Sequence, residues 1–81
     1  MYNVYILFSD STLKYYTGSC QDMKLRLAHH NGGHNRSTKA GVPWKVIKLY
    51  HVADRTEALR LENKIKKRGA KRFLSDEGIA N

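Results

Sequence analysis

Cysteine and proline occur once each in this chain of 81 residues, and acidic side chains are scarce, 7 Asp plus Glu against 15 Lys plus Arg. A lone Cys20 cannot close an internal disulfide, and it lacks the CxxC or Cys/His neighbours of a structural zinc site. An oxidising compartment is therefore not called for, and the expectation is a cytoplasmic protein. No apolar run approaches the roughly 20 residues that span a bilayer. Met1 to Asp10 has neither a basic n-region nor a cleavage site, so neither a membrane nor a targeting segment is expected. A second core is excluded by size, because a folded monomer of this mass exposes about 5,000 Å² and buries about 60% of its extended surface. The expectation is one domain over residues 1–81. With 41% hydrophobic and 27% charged residues, the chain is neither disordered nor collagen-like.

What is abundant is positive charge. The formal net charge is +8, and such a balance favours polyanionic partners, because neutralising phosphates releases counterions. The densest stretch runs through Arg55, Arg60, Lys64, Lys66, Lys67, Arg68, Lys71 and Arg72, a face suited either to solvent or to a phosphate backbone.

Tyr2 to Ser9 (YNVYILFS) reads as a central strand, with Val4, Ile6 and Phe8 on one face and Tyr5 and Leu7 on the other, both apolar. Asp10, Ser11 and Thr12 supply turn chemistry, and Lys14 to Gly18 is expected to complete a hairpin that ends at the glycine. Asp22 suits the N-cap of a helix over Met23 to His30, stopped by Asn31-Gly32-Gly33. Residues 32–43 hold three glycines and the only proline with Arg36 and Lys39 among small polar residues, a long basic loop. Trp44 to His51 returns to strand composition. Asp54 and Glu57 form a capping-box-like start for a helix through about Lys67, and Lys71 to Glu77 reads as a short terminal helix after Gly69.

Several side chains are placed where chemistry is possible. Ala58, Leu61 and Ile65 form the core-facing stripe of the second helix, and Glu62 lies on that same stripe. Burying an unpaired charge costs several kcal/mol, so Glu62 is expected at the edge of a cavity, either salt-bridged to Arg or Lys or bound to a cation. Arg26 and His30, four apart, share a helix face suited to phosphate or to solvent. Tyr5 and Tyr16 lie on neighbouring strands, with Gly18 leaving room for close approach by a backbone or ligand. His29, His30 and His34 have the spacing HHxxxH, which matches no standard zinc site.

Taken in order, Asn3-Val4-Tyr5, Tyr16-Thr17-Gly18, Arg26, His30 and Glu62 resemble the GIY-YIG nuclease family. Asn3 and Val4 stand for the family's Gly and Ile. The likeness covers nearly the whole chain and includes HNGG at 30–33, the Thr38 region, Pro43-Trp44, and Ala58-Leu59 before Glu62. It is similar both to short stand-alone members and to the catalytic domain of structure-selective endonuclease subunits. The resemblance implies an α+β fold, a three-stranded antiparallel sheet flanked by helices in the order β-β-α-β-α. It implies hydrolysis of phosphodiester bonds dependent on one Mg²⁺ or Mn²⁺, held by Glu62 as its only protein ligand. Tyr5 would be the general base, hydrogen-bonded to Tyr16 and helped to ionise by Arg26 and the metal. Arg26 would hold the scissile phosphate, and His30 would assist proton transfer or orient phosphate. Some members carry a polar Asn roughly a dozen positions after the metal glutamate, where this chain has Phe73-Leu74-Ser75.

The expected activity is thus an endonuclease on DNA ahead of RNA, with single-stranded or branched DNA ranked above duplex. Gly18, Arg36, Lys39 and Lys66 are the expected nucleic-acid contacts. A protein partner supplying specificity is compatible with so small a chain, as is a monomer or weak dimer. Two other readings stand beside it. One is a non-catalytic or partner-dependent nucleic-acid-binding module in DNA repair or RNA metabolism, and the other is a ribosome-associated or protein-binding partner.

Overall fold

The computed structural model describes residues 1–33, 36 and 38–78. The hairpin strands are β1 (Tyr2–Ser9) and β2 (Lys14–Cys20), and a third strand, β3 (Trp44–Val52), pairs with the opposite edge of β1. The result is a three-stranded antiparallel sheet of order β2-β1-β3, with β1 in the middle as its doubly apolar faces require. The turn is closed by Ser9, whose carbonyl accepts from the Leu13 N–H at 2.8 Å and whose hydroxyl accepts from the Thr12 N–H at 3.2 Å.

Each face of β1 nucleates its own core. Val4 and Ile6 pack with Ala58, Ile65 and Leu74, while Tyr5 and Leu7 pack with Cys20 and Trp44. Full burial of a Val, Leu or Ile contributes roughly 1.5–3 kcal/mol each, so the first of these cores holds the second helix to the sheet. One expectation fails here, because Gly18 does not end β2. The strand continues through Ser19 and Cys20, paired with Val4 and Asn3, and the ladder tolerates a glycine because a neighbouring side chain fills the space it leaves.

The first helix, α1 (Met23–Asn31), starts at Asp22, whose carboxylate accepts from the Leu25 N–H at 3.0 Å. Gly33 follows it with φ of 74°, a conformation favouring glycine. The second, α2 (Arg55–Arg68), has the full reciprocal start. Asp54 accepts from the Glu57 N–H at 2.9 Å, and Glu57 accepts from the Ala53 N–H at 3.1 Å. Gly69, at φ 93°, turns the chain into α3 (Ala70–Asp76), which is fastened back to α2 by two Arg68–Asp76 bonds of 2.7 and 3.0 Å.

Within the long basic loop expected at 32–43, part of the described chain is drawn inward. Thr38 and Gly41 are buried, and Lys39–Gly41 forms a 3-10 turn under the Trp44 indole. Asn31 accepts from the Trp44 N–H at 2.6 Å and donates to the Trp44 carbonyl at 3.1 Å, fixing the end of α1 to the start of β3. Among the described residues, no helix is long and apolar enough to cross a membrane.

Candidate active site

Tyr5 points from β1 to the α1 side of the sheet and lies across Gly18, its partner on β2. A Cβ at Gly18 would stand 2.5 Å from the Tyr5 hydroxyl. The glycine's missing side chain therefore makes the place in which that hydroxyl sits, rather than room for a ligand. The hydroxyl is 3.1 Å from His30 Nε2, and His30 Nδ1 is 3.0 Å from Thr38 Oγ1. Thr38 is held in turn by its carbonyl, which accepts from Trp44 Nε1 at 2.7 Å. Tyr5 and His30 are each 1% exposed, so a proton or charge on one is felt strongly by the other.

Tyr16 packs its ring against His30, with centroids 5.0 Å apart, and against Tyr5 at 6.4 Å. The hydrogen bond expected between the two tyrosines is replaced by the one between Tyr5 and His30. Burial, followed by the charge that Tyr16 carries when ionised, pushes the Tyr5 phenol above its ordinary range, and the opposing pull of Arg26 does not offset it. His30 moves the other way, lowered first by burial and then by the positive charges of Arg26 and His29. The pair is accordingly a neutral phenol beside a neutral imidazole.

Glu62 reaches the end of β2 from the other side of the sheet. Its Oε1 accepts from the Ser19 hydroxyl at 2.8 Å and its Oε2 from Lys66 Nζ at 2.7 Å, with the carboxylate side chain 15% exposed. The expectation of a shielded carboxylate paired with a cation is met by Lys66, one helical turn away. Arg26 is exposed on α1 and lines a hollow of about 450 Å³ together with Asp22, His29 and His30. Asp22 is occupied as the helix cap. The GIY-YIG catalytic domain profile matches residues 1–74.

The chain belongs to the GIY-YIG family. Membership carries nuclease activity on nucleic acid in general, and the sheet and flanking helices are those of a GIY-YIG fold. Neither a curated protein nor a solved structure matches the chain significantly. GIY-YIG nucleases generally use a divalent metal, and Glu62 suits one. It is a shielded carboxylate that already accepts a cation at Oε2, and the lysine there is 52% exposed and free to swing aside. Among the described residues, no three His, Cys, Asp or Glu side chains gather into a cage. That is compatible with Mg²⁺ or Mn²⁺, which Mg²⁺ in particular satisfies with waters and substrate oxygens.

In this GIY-YIG chain the structure brings Tyr5, Tyr16 and His30 together on one side of β2 and Glu62 to the other, with Arg26 beside His30. Lys66 is engaged with Glu62, while Arg36 and Lys39 are exposed beyond α1. His34 lies outside the described residues. Ser75 is exposed on α3, and the preceding Leu74 faces the core. Three contributors had no role assigned from the sequence. Ser19, beyond the expected end of the strand, meets Glu62 across 43 positions. Thr38 anchors His30 and Trp44 anchors Thr38, where the likeness at the Thr38 region and Pro43-Trp44 had named the residues without a role.

Proposed function

We propose that this chain is a divalent-metal-dependent endonuclease that hydrolyses phosphodiester bonds in DNA, with single-stranded or branched DNA as substrate. The observation that carries the reading is the Tyr5–His30–Thr38 chain of hydrogen bonds beside Arg26. A phenol held above its ordinary range is a poor base alone, yet it relays a proton well when its own proton has an acceptor. Tyr5 donates its proton to the neutral Nε2 of His30 as it takes one from the attacking water. The relay uses the tautomer with its proton on Nδ1, where Thr38 Oγ1 stands 3.0 Å away as an acceptor, leaving Nε2 free to accept. Tyr16 and Trp44 pack around this chain and limit competing water.

Arg26 binds the scissile phosphate and offsets the negative charge that builds on it, a contribution of several kcal/mol in sites of this kind. Glu62, oriented by Ser19, is the residue that would hold the metal, which when bound supplies Lewis-acid polarisation of the phosphate. The free, buried thiol of Cys20 supports a reducing, cytoplasmic setting. The helices packed on both faces of one sheet support a single domain, and exposed Arg36 and Lys39 support contact with the flanking nucleic acid.

The test is cleavage of labelled single-stranded, duplex and branched DNA and single-stranded RNA, with Mg²⁺, Mn²⁺ or EDTA, beside Glu62→Ala. Metal-dependent cutting by the wild type and none by the variant, with binding retained in both, is the expected result. Binding without cutting on every substrate would instead make the chain a nucleic-acid-binding module in which Glu62 serves only its bonds to Ser19 and Lys66.

A further inference from the structure

Arg26 borders two hollows at once. One is the 450 Å³ space that reaches His30. The other, about 250 Å³, crosses the end of β2 from Arg26, Ser19 and Gln21 to Arg55 and Leu59 at the start of α2. Arg55 is the first residue of α2. Among the described residues, neither Arg26 nor Arg55 has a carboxylate partner, although Asp10, Glu62 and Asp76 each hold a lysine or arginine elsewhere. Two guanidiniums without a carboxylate partner line this one small hollow, and an anion held there would be within the reach of both. The fork of each matches phosphate oxygens in a way an ammonium does not.

We propose that Arg55, with Arg26, forms a subsite for a second phosphate of the nucleic-acid backbone, one that flanks the phosphate being cleaved. The proposal rests on the nuclease reading and extends it. Ser19 lines this hollow and also donates to Glu62, so the subsite borders the carboxylate. The strand would run over the end of β2, from the His30 side to the first turn of α2. Gln21 lies at the crossing, its carbonyl pinned by the Asn3 side-chain amide at 3.0 Å. Arg55 is then a binding residue that sets where the backbone lies, with no part in the chemistry.

The test uses the whole chain and a fluorescein-labelled 12-nucleotide single-stranded DNA, titrated by anisotropy in EDTA across a range of salt. Each phosphate contact to single-stranded DNA contributes about 0.7 to the slope of log affinity against log salt. Arg55→Gln should flatten the slope by about 0.7 and weaken binding roughly three- to tenfold. Arg55→Lys should keep the slope but lose part of the affinity, because charge remains and the fork does not. Lys45→Gln on β3, whose ammonium is paired with Asp10, should leave the slope as in wild type. In the cleavage assay with Mn²⁺, Arg55→Gln should raise KM with little change in kcat. An unchanged slope in Arg55→Gln, or equal flattening in Lys45→Gln, would overturn the subsite while leaving the nuclease reading standing. Failure of the wild type to bind the DNA at all would overturn both.

Discussion

The hydroxyl of Tyr5 occupies the space where a side chain at Gly18 would begin, with only 2.5 Å between the oxygen and the position of a Cβ. The carbon bearing that oxygen is 2.7 Å away, so the ring cannot escape the clash by rotating its hydroxyl. Gly18→Ala must therefore push Tyr5 away from His30 or force the two strands apart. Overpacking of this kind costs about 1–3 kcal/mol, and misplacing a reacting group by about an ångström costs on the order of 100-fold in rate. Urea unfolding and cleavage rate measure the two effects. Combined with Tyr5→Phe, the glycine substitution should cost little further rate, a non-additivity that a double-mutant cycle reads directly.

Tyr5→Phe keeps the ring and removes the proton path. Loss of a general base or relay costs about 100- to 10,000-fold, and the cleavage rate with Mn²⁺ should fall in that range while DNA affinity in EDTA stays near wild type. A parallel loss of affinity would place Tyr5 in substrate binding instead.

His30 sets the acid limit of the reaction. Its folded-state pKa is lowered from the ordinary value, by burial first and then by Arg26 and His29, so the imidazole keeps its accepting nitrogen to a lower pH than a free histidine. Activity should be flat through neutral pH and fall only as pH drops through that lowered value. Stability follows the same sign. Between the lowered value and the ordinary one near 6.5, the unfolded chain binds more protons than the folded one, so acidification destabilises the protein. The urea midpoint should decline as pH falls below about 6.5, and His30→Gln should reduce that decline.

Thr38→Val preserves the carbonyl that accepts from Trp44 but removes the hydroxyl beside His30 Nδ1. A buried ring nitrogen left without its partner costs about 1–3 kcal/mol, measurable by denaturant unfolding. The acceptor for the Nδ1–H that the relay requires is lost with it, so the cleavage rate should fall more than DNA affinity does.

Lys66 competes for the same carboxylate oxygen that a metal would use. The pair is half exposed on the lysine side, and such pairs contribute up to about 1 kcal/mol. Lys66→Met should therefore tighten Mn²⁺ binding by up to about fivefold, read by the paramagnetic signal of free Mn²⁺. Weaker binding in the variant would show that the lysine orients Glu62 for the ion rather than opposing it.

Much of this organisation was legible in the residues, because it depends on local rules. Alternation on β1 identifies a strand buried on both faces, Asp22 and Asp54 mark helix starts through their caps, and the Ala58–Leu61–Ile65 stripe places Glu62 on the sheet side of α2. What was not legible depends on tertiary approach. Gly18 read as a strand end because nothing local reveals that Tyr5 will fill its place. Thr38 was marked by the family likeness, but its bond to His30 depends on Trp44, which holds the Thr38 carbonyl, and on Asn31, which holds Trp44. The burial that raises the Tyr5 phenol is tertiary as well, since Arg26 is visible in sequence and the depth of burial that outweighs it is not.

The strand that carries Tyr16, Gly18 and Ser19 has one neighbour instead of two, since β2 lies at the rim of the sheet. The two hollows meeting at Arg26 lie along that rim, so a polymer laid across it is met side-on. Neither end of the polymer has to be threaded into the protein, and the middle of a strand is as reachable as its terminus. Cutting within a chain suits hollows that are open to solvent in this way.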